Sequence, residues 1–284
     1  MKRVGELSFT VYEPRRKFWL DILKLPLDWK VFSEEELNDP LDTLKRDQSS
    51  DGLLLSPLFT ENILSSEMKV PAEVIESGFV DSTVRSQGKL WVRCFLKEAI
   101  RQSILHKSPS LDTHAIAYVT GSDEMTRLAI VVAAHIGFRR IVVVTQTPEK
   151  ATARVQQLQR LFFDLEIKVI KDFELTLQPN NGSLLINTYT PEDGEVVFAD
   201  LTYLNFLKPD GLVVDLPFSP LSNDLLTEAE HVKVSSLTGV EIWSFRDFLF
   251  LRALLEEKFV ISWPEYLDHW RKFLSSEVVS EKQT

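Results

Sequence analysis

Apolar residues in this chain recur in two rhythms, one of strand length and one helical. Ala115-Ile-Ala-Tyr-Val-Thr120 is a short apolar run, Gly121 interrupts it, and Met125, Leu128, Ala129, Val132, Ala133 and Ile136 then return at helical spacing until Gly137. Ile141-Val-Val-Val144 follows as a buried-strand run, so the stretch predicts a β-α-β unit. The alternation continues. Thr147-Pro-Glu-Lys150 starts a helix with Thr147 as cap and Pro148 in its first turn, and Ala151, Val155, Leu158 and Phe162 line one face. Glu166 to Ile170, Gly182 to Asn187 and Gly211 to Asp215 read as further strands, the last two nearly all apolar, as a parallel sheet covered on both faces requires. Asn181-Gly-Ser183 reads as a turn.

The N-terminal third mixes short apolar runs with polar helices. Leu7 to Tyr12 and Trp29 to Phe32 read as strands, Arg15 to Leu25 as an amphipathic helix, and Gly52-Leu-Leu-Leu-Ser-Pro57 as a buried strand. Ser33-Glu-Glu-Glu36 fits a capping box, which makes the acid run a solvated helix start rather than a metal cluster. Phe79 to Arg85 and Lys89 to Phe95, separated by Ser86-Gln-Gly88, predict a hairpin. Beyond Gly239 the chain is helical and aromatic. Ser262-Trp-Pro-Glu265 opens a last helix carrying Tyr266, Leu267, Trp270, Phe273 and Leu274, aromatics read as core rather than as a ligand platform, and the tail from Ser275 reads as frayed.

The 284 residues, 44% of them apolar, suit one large or two ordinary folded domains. A net charge of -10 argues against nucleic acid or an anionic membrane as the main partner, because both require a positive surface. No apolar stretch reaches membrane-spanning length, and a single cysteine, Cys94, fits a reducing cytoplasm. There is no Gly-x-Ser-x-Gly, His-Glu-x-x-His, Walker loop or Cys-x-x-Cys, and the five histidines are scattered, so no metal site is expected.

The turn after the first strand of the β-α-β unit carries the chemical question. Dinucleotide-binding units place glycines there so that backbone can approach the pyrophosphate at the helix N-terminus. Here the turn is Gly121-Ser122-Asp123-Glu124, with one glycine and two acids. Asp123 and Glu124 suit a helix N-terminus and disfavour a bound phosphate.

Several segments, in order, resemble the shikimate dehydrogenase family: Gly52 to Phe59, Gly78 to Val84, Gly88 to Leu96, Val119 to Lys150, Leu184 to Asn187, and Asp215-Leu-Pro-Phe-Ser-Pro-Leu221. The resemblance implies an α/β protein. It has an N-terminal substrate-type domain over residues 1–105, a Rossmann-like doubly wound domain over 106–240, and closing helices from 241–284 that return to the first domain. It also implies where the family's working residues should stand. The two serines that hold the shikimate carboxylate fall on Val11 and Glu13. The catalytic lysine and aspartate fall on Phe59 and Leu96, the asparagine of the substrate site on Asp81, a glutamine of the first closing helix on Arg246, and a tyrosine on Phe218. The cofactor loop is Gly121 and Ser122, and the segment that grips the NADP 2′-phosphate is Thr145, Gln146 and Thr147.

Reduction of a ketone builds alkoxide character that a Lys–Asp pair can protonate, and Phe59 and Leu96 cannot. Glycines, prolines and apolar strand positions persist while substrate-holding polar groups are lost. The expectation is a shikimate-dehydrogenase-like cytoplasmic protein, monomer or homodimer, that binds or regulates rather than reduces and needs no cofactor. Its partner would be a small anion or another protein. The alternatives are an NAD- or NADP-dependent oxidoreductase of altered specificity and a divergent shikimate dehydrogenase. Asp81, Arg85, Arg93 and Arg246 could converge on the substrate cleft as an anion site, each arginine being weighed against an ordinary salt bridge.

Overall fold

The computed structural model describes residues 1–8, 12–66, 68–189, 204–217 and 223–281. Along the chain, the first half holds β1 (Lys2–Leu7), α1 (Glu13–Lys17), β2 (Leu27–Lys30), α2 (Glu34–Asn38), α3 (Pro40–Arg46), β3 (Gly52–Leu55), α4 (Thr60–Leu64), α5 (Ala72–Ser77), β4 (Ser82–Ser86), β5 (Lys89–Arg93) and α6 (Phe95–Lys107). The second half holds β6 (Ile116–Thr120), α7 (Glu124–Ile136), β7 (Arg140–Val144), α8 (Pro148–Leu161), β8 (Glu166–Ile170), β9 (Gly182–Asn187), β10 (Leu207–Asp215), α9 (Asp224–His231), β11 (Ser235–Leu237), α10 (Gly239–Leu255) and α11 (Trp263–Glu281). Two compact units result, Met1–Phe95 with Ser244–Thr284, and Leu96–Trp243.

The first unit is built on a five-stranded sheet in the order β2-β1-β3-β4-β5, parallel at β2-β1-β3 and antiparallel from β3 onward. Its first strand lies at Lys2–Leu7, N-terminal to the apolar run that predicted Leu7 to Tyr12, because Val4 and Leu7 are the positions that bury against β3. Residues 9–11 of that run fall outside the described residues. Gln87 and Gly88, with φ of +50° and +76°, turn the β4-β5 hairpin as both positive φ values demand. The predicted capping box forms, with Glu36 N–H bonded to Ser33 Oγ and Ser33 N–H to Glu36 Oε2.

Aromatic residues of α11 pack into this unit. Tyr266, Trp270 and Phe273 surround Phe18, and Trp19 donates its Nε1–H to Tyr266 Oη at 2.9 Å. The α11 backbone stays helical through Glu281, past the point where fraying was expected. Beside these rings lies a buried ionic cluster in which Arg15 binds Asp247 at 2.6 Å and Glu6 at 2.8 Å, while Arg246 lies 3.2 Å from Asp247. Burial pulls the Arg15 guanidinium down, but Asp247 and Glu6 hold it above its ordinary value, so the group stays charged.

The second unit carries a six-stranded, wholly parallel sheet in the order β11-β10-β9-β6-β7-β8. Counted within the unit, this is the order 6-5-4-1-2-3, the doubly wound arrangement whose strand direction of travel reverses between β6 and β9. Tyr118, Val142, Val144, Ile170, Leu185, Phe206 and Val213 form the buried core against one face. The Asn181-Gly-Ser183 segment, read as a turn, instead leads into β9, where Ser183 is buried and bonded to Asp112 O. Gly182 permits this, since a Cβ there would meet the ring of Tyr118 at 2.5 Å. Among the described residues no helix is long and apolar enough to cross a membrane.

Candidate functional site at the carboxyl edge of the parallel sheet

Open α/β sheets bind ligands outside the carboxyl ends of their strands, at the point where strand order reverses. In this chain that point is the junction of β6 and β9, and Gly121 opens it. With φ of +126°, Gly121 takes a conformation that side chains resist. Its bare Cα also faces two hydroxyls, since a Cβ would collide with Thr188 Oγ1 and Thr126 Oγ1. Those hydroxyls bond to each other at 2.9 Å, and Thr188 Oγ1 donates to Thr120 O at 2.5 Å. Thr126 and Thr188 thus fill the space beside the Gly121 Cα, and Thr126 stands three residues into the helix where a dinucleotide turn has its third glycine.

The N-terminus of α7 is occupied as well. Asp123 Oδ1 accepts the N–H of Thr126 at 3.0 Å, and Thr126 Oγ1 accepts the N–H of Asp123 at 3.2 Å, a reciprocal capping box. Glu124 pairs with Arg154 of α8 at 2.6 Å. Both acids thus act as the helix-start reading expected, and the positive end of the helix dipole already faces an intramolecular carboxylate.

A chain of hydrogen bonds runs along the sheet edge from β10 to β7. Asn223 Nδ2 donates to Asp215 Oδ2 at 2.7 Å, Asn187 Nδ2 to Asp215 Oδ1 at 2.6 Å, and Thr120 Oγ1 to Asn187 Oδ1 at 2.6 Å. Asn187 Oδ1 also accepts the N–H of Tyr189 at 3.1 Å. Burial pushes the Asp215 carboxyl above its ordinary value despite the two amide donors. Tyr189 then extends from the end of β9 to the end of β7, where its Oη lies 3.4 Å from Thr145 Oγ1 and accepts the Gln146 N–H at 3.1 Å. The strand between them in the sheet is β6, so Tyr189 links the ends of two strands that are not neighbours, with its ring packed against the core of the unit.

Of the residues selected from sequence, Gly121, Ser122, Thr145, Gln146 and Thr147 all lie on this edge. Thr147 is the N-cap residue of α8 but forms no side-chain cap; its own N–H goes to Thr145 Oγ1 at 3.1 Å. The first-turn N–H groups of α8 thus receive no side-chain cap from Thr147, and Pro148 removes one donor that needed satisfying. Gln146 is exposed and uncharged.

In the first unit Phe59 is buried on the turn after β3, and Asp81 is buried with Oδ1 accepting Ser82 Oγ at 2.8 Å and the Phe95 N–H at 3.1 Å. Leu96, at the start of α6 in the second unit, is also buried. Glu13 pairs with Arg16 at 3.2 Å. Phe218 and Val11 lie outside the described residues.

The arginines weighed as an anion site meet partners within the chain, the salt-bridge alternative considered beside it. Arg85 spends its guanidinium on the carbonyls of Ser50, Asp47 and Gly88, Arg93 pairs with Glu73 at 2.8 Å, and Arg246 lies buried against Asp247. Each satisfies a nearby acceptor, which the one-dimensional spacing could not reveal. Sequence reasoning passed over Thr126, Thr188, Tyr189, Asn187, Asp215 and Asn223 as site residues. Asn187 and Asp215 carried a signal, each being the polar residue that ends an apolar parallel strand. Tyr189 carried none.

The fold defined by these two sheets is that of the shikimate dehydrogenases. No protein-family model matches the sequence, and no curated protein does. Solved structures align over nearly the whole chain. A quinate dehydrogenase from Corynebacterium glutamicum in complex with NAD aligns with a TM-score of 0.78 at 13% identity, covering 96% of this chain and 98% of that one. A shikimate 5-dehydrogenase from Listeria monocytogenes in complex with shikimate and NAD gives 0.76 at 16% identity, with 96% of each chain covered. The enzyme from Thermus thermophilus in complex with NADP(H) and shikimate gives 0.71 at 18% identity, over 96% of this chain and all of that one.

Proposed function

We propose that this chain uses the shikimate dehydrogenase fold without NADP-dependent reduction of 3-dehydroshikimate, and acts as a non-catalytic binding or regulatory protein. The observation that carries the reading is the Asp123 carboxylate bonded to the N-terminus of α7 at 3.0 Å. A pyrophosphate would need that helix end, and one extra anion about 4 Å from a phosphate charge costs roughly 4 kcal/mol at an effective dielectric of 20. That is close to a thousandfold in affinity. Thr126, in place of the third glycine of a dinucleotide turn, and an uncharged Gln146 where a 2′-phosphate would be held support the same reading. The residues on this edge do not fit a dinucleotide.

The reacting groups point the same way. Phe59 and Leu96 stand where the resemblance places the lysine and aspartate, and neither can donate a proton or stabilise an alkoxide. With the start of α7 capped by the chain's own carboxylate, the ligand is a small anion or another protein, and a cytoplasmic setting suits the single, buried Cys94.

Titration of the purified chain with NADPH and with NADH, followed by calorimetry and nucleotide fluorescence beside an intact shikimate dehydrogenase, tests the reading. No binding at millimolar nucleotide is expected. Micromolar binding of either nucleotide would overturn it and turn the search toward an oxidoreductase of altered substrate.

A further inference from the structure

The free edge of the six-stranded sheet carries an interaction surface. Strand β8 ends the sheet order, and among the described residues no strand pairs with its outer side. Glu166 donates its N–H to Arg139 O at 2.8 Å and Ile170 O accepts the Thr145 N–H at 3.1 Å. In a parallel ladder the residues that bond one neighbour alternate with those that do not, so Glu166, Lys168 and Ile170 face β7 with their backbone groups. Ile167 and Val169 turn theirs outward, while the Leu165 N–H is bonded to Phe162 O at 3.3 Å and leaves the Leu165 carbonyl as its outward group. Natural edges are normally shortened, bulged or covered to prevent pairing. This one is regular over five residues, and both of its ends carry exposed apolar side chains.

Four such side chains flank the strand. Leu161 is 51% exposed and Phe163 97% exposed just before β8, and Phe173 is 66% and Leu177 75% exposed just after it. Apolar groups at both ends of one free edge match themselves when a second copy runs antiparallel, because the leading end of one strand then meets the trailing end of the other.

The charges on β8 select the register. A two-fold axis through Ile167 places Ile167 opposite Ile167, which exchange both backbone bonds, and Leu165 opposite Val169, where the Leu165 carbonyl can accept the Val169 N–H. It also places Glu166 directly opposite Lys168 of the second copy, twice, at the close spacing of about 4.5 Å between Cα atoms of a non-hydrogen-bonded pair. Moving the axis to Lys168 would set lysine against lysine, and moving it to Glu166 would set glutamate against glutamate. We propose that two copies of this chain associate through antiparallel pairing of β8 about a two-fold axis at Ile167, joining their parallel sheets into one. Glu166–Lys168 pairs fix the register, and Leu161 and Phe163 of one copy cover Phe173 and Leu177 of the other.

The proposal is independent of what occupies the carboxyl edge of the sheet, so nucleotide binding would leave it untouched. Sedimentation velocity and light scattering of the full chain over a concentration series test it, with three variants. Wild type is expected to be a dimer. Lys168→Glu, an exposed substitution that sets glutamate against glutamate in both pairs, is expected to raise the dissociation constant roughly tenfold or more. Glu166→Lys alone should do the same with lysines. The double exchange Glu166→Lys with Lys168→Glu rebuilds both pairs in reversed polarity and should restore the wild-type constant. A wild-type chain that stays monomeric at every concentration overturns the proposal. So does a dimer indifferent to Lys168→Glu, or a double exchange no tighter than the single variants while circular dichroism shows all of them folded.

Discussion

Asn187 donates its side-chain amide to the buried carboxylate of Asp215 across 2.6 Å, joining the ends of two adjacent parallel strands. Among the described residues neither a lysine nor an arginine pairs with it; the second oxygen of Asp215 is served by Asn223 at 2.7 Å. Burial therefore outweighs the hydrogen bonds, and the carboxyl titrates above its ordinary value.

The folded chain holds the Asp215 proton more tightly than the unfolded chain does. Between the ordinary carboxylate value and the raised one it binds the extra proton, so this group's contribution to stability is full at low pH. It is lost as pH rises through the raised value. Asp215→Asn removes the titration and sets an amide N–H₂ against another donor, at a cost of about 1–3 kcal/mol. Urea unfolding of both proteins from pH 4 to pH 7 should show the wild-type advantage shrinking as pH rises. An advantage that grows with pH would contradict the buried, unpaired carboxyl.

Removing the internal anion does not by itself recreate a phosphate site. Asp123→Ala deletes the cap on Thr126 N–H and should cost about 0.5–2 kcal/mol in chemical denaturation. Calorimetry with NADPH should still show no heat of binding, because the turn keeps a single glycine, Gly121, and Gln146 offers no charge to a 2′-phosphate. Recovery of micromolar binding in this single variant would mean that charge alone closes the site.

Gly121→Ala is predicted to be among the more damaging small substitutions in the second unit. The added methyl meets the hydroxyls of Thr126 and Thr188 and must sit at a φ of +126°. A loss of about 2–4 kcal/mol in unfolding free energy is expected, from strain together with disruption of the Thr126–Thr188 hydrogen bond. A loss under about 0.5 kcal/mol would show that the turn relaxes freely.

Arg15 neutralises two buried acids at once, at 2.6 and 2.8 Å. Arg15→Met removes the cation bonded to Glu6 and leaves Asp247 only Arg246, 3.2 Å away, and should cost about 3–5 kcal/mol in urea unfolding at pH 7. Adding Asp247→Asn should recover part of that loss, since the remaining penalty is uncompensated charge. If the double variant is less stable than Arg15→Met by the full cost of a lost hydrogen bond, the charges are not the origin of the effect.

Local pattern alone was enough for much of the second unit. The apolar runs at Ile116–Thr120, Arg140–Val144 and Gly182–Asn187 leave few alternatives to buried parallel strands, because a strand covered on both faces must be apolar throughout. Helix starts at Ser33, Asp123 and Ser262 were legible for a similarly local reason, since the capping groups lie within three residues of what they cap. The absence of a proton donor at Phe59 and Leu96 was also a matter of residue identity.

What tertiary structure decided was which groups meet across distance in the chain. Arg15 finds Asp247 across 232 residues, Thr126 finds Thr188 across 62, and Tyr189 reaches Gln146 across 43. No local rule links these pairs, because they become neighbours only when separate strands and helices pack. The arginines imagined around one anion were resolved in the same way: each took the acceptor that folding brought nearest. The residue types of this protein put Phe59 and Leu96 at two positions without a proton to give, while the packing set Asp123 on the start of α7, Thr188 against Thr126 and Tyr189 against Gln146.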